Sequence, residues 1–345
     1  MLTPWAYISK INANSRAIQH FHAGYRFLQI KDYDNALNEI QKGLEIYPDS
    51  VWAHTRLGFI RTQLKALDEA IREFEKAIDL ANRWDDPTYR PNSTGSELKS
   101  SIKKRLAWAY ALKAHQLSIA KDYDPAMEMS KKAVKLNRKG TARYAGLPYF
   151  MKAHDFYKVG DNLNASNTAE LGLKIDPTRI WGLRFVGCRW VDLGSSKEGI
   201  ALIKKAIKLR KKIKAENDPM DQSISEADLY HSLRWCYDKR AKRTHSLEDW
   251  KKAVEAINMA FMLDPNSNYK SYLVYQQHQY ARALFDKHKY QESVEQSDAC
   301  LELDADYNYA KWEKATASIS SGNVDEGISI LTALLDTALD RNENT

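Results

Sequence analysis

Three residues of metal-ligating type, His115, His154 and Cys188, follow one another at gaps of 39 and 34 residues. Imidazole and thiolate are zinc ligands, so this row is the first invitation to chemistry in the chain. Residues on successive packed helices have backbones roughly 10 Å apart, so three side chains converging on one ion would be crowded, and no fourth ligand accompanies them. No metal site is expected. HExxH, GxSxG, a Walker loop and GxGxxG are all missing. The carboxylates fall at solvated helix positions, where pairing with a lysine four residues on is the ordinary use. Neither a catalytic residue nor a cofactor is expected. The cysteines, Cys188, Cys236 and Cys300, are odd in number, far apart and without a CxxC. They read as free thiols of a reducing, cytoplasmic compartment. The first residues lack a basic run followed by an apolar core, so no signal peptide is expected. No stretch approaches the length of apolar residues that spans a membrane.

The elements that would position any such side chains announce themselves by spacing. A small residue recurs at Ala36, Ala70, Ala126, Ala165, Gly199, Ala253, Ser293 and Gly327, after a "Tyr/Leu-x-x" phrase in the clearest of them, with gaps of 34, 56, 39, 34, 54, 40 and 34. A period near 34 marks a solenoid of helical hairpins. The longer gaps recur in order, so a three-hairpin block repeats after 129 and then 128 residues. Low glycine and proline, 14 and 9 in 345 residues, agree with helices rather than sheet and turn. The clearest unit is Ala17 to Pro48. Phe21, Gly24, Phe27 and Leu28 form one helix face, Asp32-Tyr33-Asp34 the turn, and Ala36, Ile40, Gly43 and Leu44 a second helix.

These residues resemble the tetratricopeptide repeat (TPR) family, and weaker matches continue through about eight units. The resemblance implies an all-α, right-handed superhelical solenoid of about eight TPR-like hairpins. It would span the chain as a single body, with residues 1–15 as a cap or short helix, repeats over 16–340, and long insertions near 83–97 and 211–225. Before each insertion the second helix overruns by about two turns to Asp86-Pro87 or Asp218-Pro219, similar to the longer TPR variant of kinesin light chains. The sixth unit carries an extra turn around KRTHS, 242–246.

In this family ligands lie mainly on the concave side, lined by the first helix of each hairpin. The resemblance therefore places Phe21, Tyr25, Trp52, Phe59, Trp108, His115, Phe150, His154, Tyr157, Trp181, Arg184, Trp235 and Arg282 on an aromatic, mildly basic inner face. Such side chains suit a peptide or protein segment; the alternative is that several of them seal neighbouring hairpins. The chaperone-tail clamp of some family members is not expected, because its polar slots hold Phe21, Tyr25, Arg56, Trp108 and Leu112. The implied function is a non-enzymatic adaptor or scaffold. A single-stranded RNA- or DNA-binding repeat protein and a peptide-sensing regulatory domain are the alternatives. Net charge is +7, but residues 286–345 carry 13 acids and 5 bases, which interrupts any basic track from Lys131 through Lys204–Lys214 to Arg243. Ile328, Leu331, Leu334 and Leu335 lie on a last helix near 324–338 with no capping helix after it, so self-association there is an expectation.

Overall fold

The computed structural model describes residues 4–83, 95–212 and 219–343, and among them there are helices and no strand. Contacts divide the chain into two compact units, Met1–Pro177 and Thr178–Thr345. The first holds α1 (Pro4–Gln29), α2 (Tyr33–Ile46), α3 (Val51–Gln63), α4 (Leu67–Arg83), α5 (Gly95–Ile119), α6 (Tyr123–Lys158) and α7 (Asn162–Ile175). The second holds α8 (Ile180–Asp192), α9 (Ser196–Lys212), α10 (Pro219–Gln222), α11 (Glu226–Thr244), α12 (Leu247–Leu263), α13 (Tyr269–Phe285), α14 (Tyr290–Leu303), α15 (Asn308–Ser320) and α16 (Val324–Glu343). Helices adjacent in the chain pack as antiparallel hairpins, four in each unit. In the first unit the second helix of hairpin three and the first helix of hairpin four share α6. They part at Asn137 (φ −157°, ψ 76°), whose side chain caps the new helix by accepting from Gly140 N at 3.2 Å.

Each hairpin turns through one residue of positive φ: Lys31, Lys65, Lys121, Gly160, Gly194, His245, His288 and Gly322. Left-handed backbone costs a non-glycine residue about 1–2 kcal/mol. The cost is offset by the bonds it permits. In six hairpins the next N–H reaches back five residues to a helix carbonyl, as in Asp32 N to Phe27 O at 3.0 Å and Ala66 N to Arg61 O at 2.9 Å. The first turn is thus Ile30-Lys31-Asp32, earlier than the sequence suggests, and Asp32 is the N-cap of α2.

Inside a hairpin the two helices touch through a small residue against a large one. Phe21 on α1 is buried over Gly43 on α2, and Phe150 on α6 over Gly172 on α7. The reverse arrangement sets Gly58 against Phe74 and Gly187 against Ile203. Each of these pairs has its counterpart 129 residues along the chain, as does the Asp32–Asn35 cap, repeated at Asp161–Asn164. Packing thus repeats with the three-hairpin block.

Two local expectations change, and a third falls partly outside the described residues. Residues 4–14 belong to α1, which continues unbroken from Pro4 because no glycine or proline interrupts residues 5–23. Among the described residues α4 and α9 already have 17 residues against 14 in α2, and the rest of the expected two-turn overrun lies outside the described residues. Most of the first insertion and residues 213–218 of the second, including the ends at Asp86-Pro87 and Asp218, lie outside the described residues. The first insertion leads into a long α5, whose Leu98, Ile102 and Leu106 recur every fourth residue and join Ile71, Phe74 and Leu80 in one core. The end of the second folds back: Asp221 Oδ1 accepts from Trp181 N at 3.0 Å and so supplies the cap of α8 that the side chain of its N-cap residue, Arg179, does not form. The KRTHS turn is helical up to Thr244.

Gly58→Ala tests the close approach. Its Cβ would lie 2.7 Å from Cε1 of Phe74, a ring with no room to move. Overpacking of about 1–3 kcal/mol is expected to exceed the roughly 1 kcal/mol that alanine gains over glycine in a helix. Thermal melting should show net destabilisation, and Phe74→Leu in the same chain should give less than the summed loss of the two single changes.

Candidate functional site

Within each unit the first helices of successive hairpins share rings along one face. In the first unit, Trp52 on α3 packs against Phe21 and Tyr25 of α1, with ring centroids 5.7 and 6.4 Å apart. The Arg56 guanidinium stands 5.5 Å from both the Tyr25 and Trp52 rings. Arg105 on α5 covers Phe59 at 5.5 Å, and Trp108 meets Tyr144 of α6 edge-on at 4.9 Å. His115 reaches the same tyrosine at 5.8 Å. Tyr157 is exposed, and His154 is half-buried. Burial and the charge of Lys158 hold the His154 pKa below the usual histidine range, against the opposing pull of Asp155.

In the second unit, Trp181 stacks on Phe185 of its own helix at 5.0 Å. Arg184 Nε donates to Ser232 Oγ of α11 at 2.8 Å. His231 lies between Tyr269 and Tyr272 of α13, at 5.4 and 4.5 Å. Burial, with Arg234 and Arg184 nearby, brings its pKa down to about 4. Arg234 is buried with its guanidinium 5.2 Å from the Tyr272 ring. Tyr269 donates to Asp228 at 2.9 Å; burial, then this bond, pushes the phenol up to about 12. Lys239 covers Trp235 at 5.5 Å. His278 of α13 contacts Tyr307 and Tyr309 at 5.6 and 5.9 Å. Where the sixth hairpin is longest, a cleft of about 300 Å³ opens between α11, α12 and α13. Lys242, His245, Trp250, Arg282, Asp286 and Lys287 are among its walls.

Two of the residues expected to meet a ligand do not reach the surface. Phe21 and Phe150 fill the space above Gly43 and Gly172 and belong to the core of their hairpins. Trp52, Phe59, His115, His154, Trp181, Arg184 and Trp235 are partly exposed; Trp108, Tyr157 and Arg282 are exposed. Others were missed. Tyr309 and Trp312 of α15 are 70% and 55% exposed. They occupy the second and fifth positions of the eighth repeat, so the spacing that marked Trp52 and Phe21 marks them too. Tyr144, Tyr269 and Tyr272 precede their repeats' first positions and carry no such signal. Among the described residues no three His, Cys, Asp or Glu side chains come together to hold a metal ion. None of the helices is long and apolar enough to cross a membrane among the described residues.

Glu313, beside Trp312, is 2% exposed. Burial and, to a lesser degree, Asp286 raise its carboxyl to about 7, against the opposing charge of Arg282. A carboxyl raised in the folded state costs stability as pH rises above its unfolded value and through its folded one. Glu313→Gln should therefore melt like the wild type near pH 4.5. It should gain on it as pH rises and keep a constant lead above about pH 7. A lead that does not change with pH would mean that the carboxyl does not titrate there.

Residues 53–83 match the family model described as a tetratricopeptide repeat. No curated protein matches the chain. Among solved structures it is similar to the TPR2AB domain of yeast Sti1 in complex with pHSP90, at 16% identity and TM-score 0.39, covering 91% of this chain and 98% of that one. It is also similar to YrrB, a TPR protein with an unusual peptide-binding site, at 13% identity and TM-score 0.34, covering 67% and 94%. The tetratricopeptide-repeat match falls on the hairpin α3–α4, and the same small-against-large contact recurs in the hairpins before and after it.

Proposed function

We propose that the protein is a non-enzymatic adaptor that holds a peptide or protein segment against the aromatic and cationic side chains of its first helices. The observation that carries this reading is the exposure of Tyr309 and Trp312, with Trp108, Tyr157, Tyr272 and Tyr275 also exposed. Large rings left outside a core are ready anchors, since they offer rigid contact area at small entropic cost. Arg282 and Lys287 line the cleft near the end of α13, which favours a segment bearing an acidic residue. Three free cysteines fit a cytoplasmic setting.

Nucleic acid is the weaker reading. In the basic helix α9, Lys204 and Lys211 lie 5.7 Å from the Tyr237 and Tyr230 rings, and Lys211 also pairs with Glu226 at 3.3 Å. Those ammonium groups are already engaged. The test is selection of peptides from a displayed library on the full chain, followed by calorimetry. Trp312→Ala and Tyr309→Ala should each weaken a selected peptide by about tenfold, with little change in high salt. Unchanged affinity in both variants would overturn this assignment. Tight binding of single-stranded RNA that collapses with salt would favour the alternative.

A further inference from the structure

Helices α8 and α11 are packed in register. Arg184 bonds to Ser232, and Cys188 and Cys236 stand four residues further along each helix. A turn is 3.6 residues, so the next contact after that pair falls on the two cysteines. The register sets the two thiols side by side there, across the α8–α11 interface. Beyond them the interface is held again, where the Arg243 guanidinium donates to the Val191 carbonyl and to Ser196 Oγ, both at 2.6 Å. The register is thus fixed on both sides of the pair.

The two thiols are chemically unequal. Cys236 is fully buried, whereas Cys188 is partly exposed. The neighbouring Cys236 thiol, with the charges of Arg184 and Arg189, shifts Cys188 below the usual thiol range, against burial and the charge of Asp192. Cys236 is displaced the opposite way, by the neighbouring Cys188 and by burial, and stays a thiol. A partly exposed thiol of lowered pKa beside a second, resolving thiol is the arrangement that reacts with peroxides. Cys300 has neither property. It is buried, its thiol donates to the Val274 carbonyl at 3.3 Å, and burial pushes it up to about 12.

We propose that Cys188 and Cys236 form an oxidation site that takes a hydroperoxide as its oxidant and closes to an intramolecular disulfide. With hydrogen peroxide, the Cys188 thiolate attacks one oxygen and the O–O bond breaks. Cys188 becomes a sulfenic acid, and the leaving hydroxide takes a proton to become water. The Cys236 sulfur then attacks the sulfenic sulfur, forming the S–S bond; its own proton and the displaced hydroxyl leave as a second water. Two thiols are oxidised and one peroxide is reduced. An S–S bond of about 2.05 Å is shorter than a thiol–thiol contact, so closure draws α8 toward α11, the helices that carry Arg184 and Trp235.

The test is peroxide treatment of the reduced full chain, trapping of remaining thiols under denaturing conditions, and peptide mapping by mass spectrometry. A Cys188–Cys236 bridged peptide is expected, about 2 Da lighter than the two reduced peptides, with Cys300 still trapped and the bridge reversed by dithiothreitol. In Cys236→Ser, Cys188 should instead be caught as a sulfenic acid by dimedone. The proposal is overturned if wild-type Cys188 passes to sulfinic acid while Cys236 stays reduced. It is equally overturned if the bridges formed join separate chains, or if Cys300 is consumed before the pair. The wild-type result stands by itself even if the variant folds poorly.

Discussion

Everything in this fold depends on how closely the two helices of a hairpin can approach. Where Gly187 faces Gly199, a Cβ on Gly187 would come within 2.9 Å of the Gly199 carbonyl oxygen. Backbones are nearly in contact, and there is no space for two ordinary side chains. A large partner then fills what the small residue leaves, as Ile203 does against Gly187 and Phe74 against Gly58. Interiors this dense tolerate little change in volume, so the small positions are fixed by sterics. The same constraint explains why Cys300, at the place taken by Gly43 and Gly172 in equivalent hairpins, is fully buried and bonded to a carbonyl. It is there as a small side chain.

The turn adds a second constraint. A close pair of helices needs a reversal only a few residues long, and the left-handed residue supplies it. Five of the eight such residues are lysine or histidine. The carbonyl bonds formed around the turn are therefore enough to hold a side chain where glycine would be easier. Polar straps then tie the hairpin sides together. His54 on α3 places its ring nitrogens 2.5 Å from Glu73 of α4 and 2.9 Å from the Pro48 carbonyl, and Arg61 holds the second oxygen of Glu73 at 2.7 Å. Burial alone would raise the Glu73 carboxyl, but the His54 bond and the charges of His54, Arg61 and Lys76 prevail and hold it below the usual range. The strap repeats 34 residues earlier as His20–Glu39 at 2.8 Å.

Much of this was legible in the chain because hairpin packing is local. Ala36, Ala70 and Ala126 are all fully buried, and their spacing reports a steric rule that every hairpin obeys. Helix ends were harder. Residues 4–14 and the KRTHS segment continue helices that they were expected to interrupt or succeed, since no breaker residue stops them. Contacts between hairpins were hardest. Nothing in the spacing of Cys188 and Cys236 suggests that they meet, because the pairing depends on the register of α8 on α11. Nor does Asp221 announce itself as the cap of a helix that began forty residues earlier.

The split between core and surface aromatics comes from the same steric rule. The fifth repeat position carries Phe21, Phe150 and Trp312, and the facing position on the second helix carries Gly43, Gly172 and Leu334. Over a glycine the ring enters the hairpin and is lost to any ligand. Where the matching place holds leucine, Trp312 lies outside the core, 55% exposed. A single position in the repeat can therefore lie in the core of one hairpin and on the surface of another, and a glycine across the hairpin is what admits the ring. Reading first-helix positions without their facing partners gathers both kinds together, which is how Phe21 and Phe150 came to stand beside Trp108 and Tyr157 as candidates.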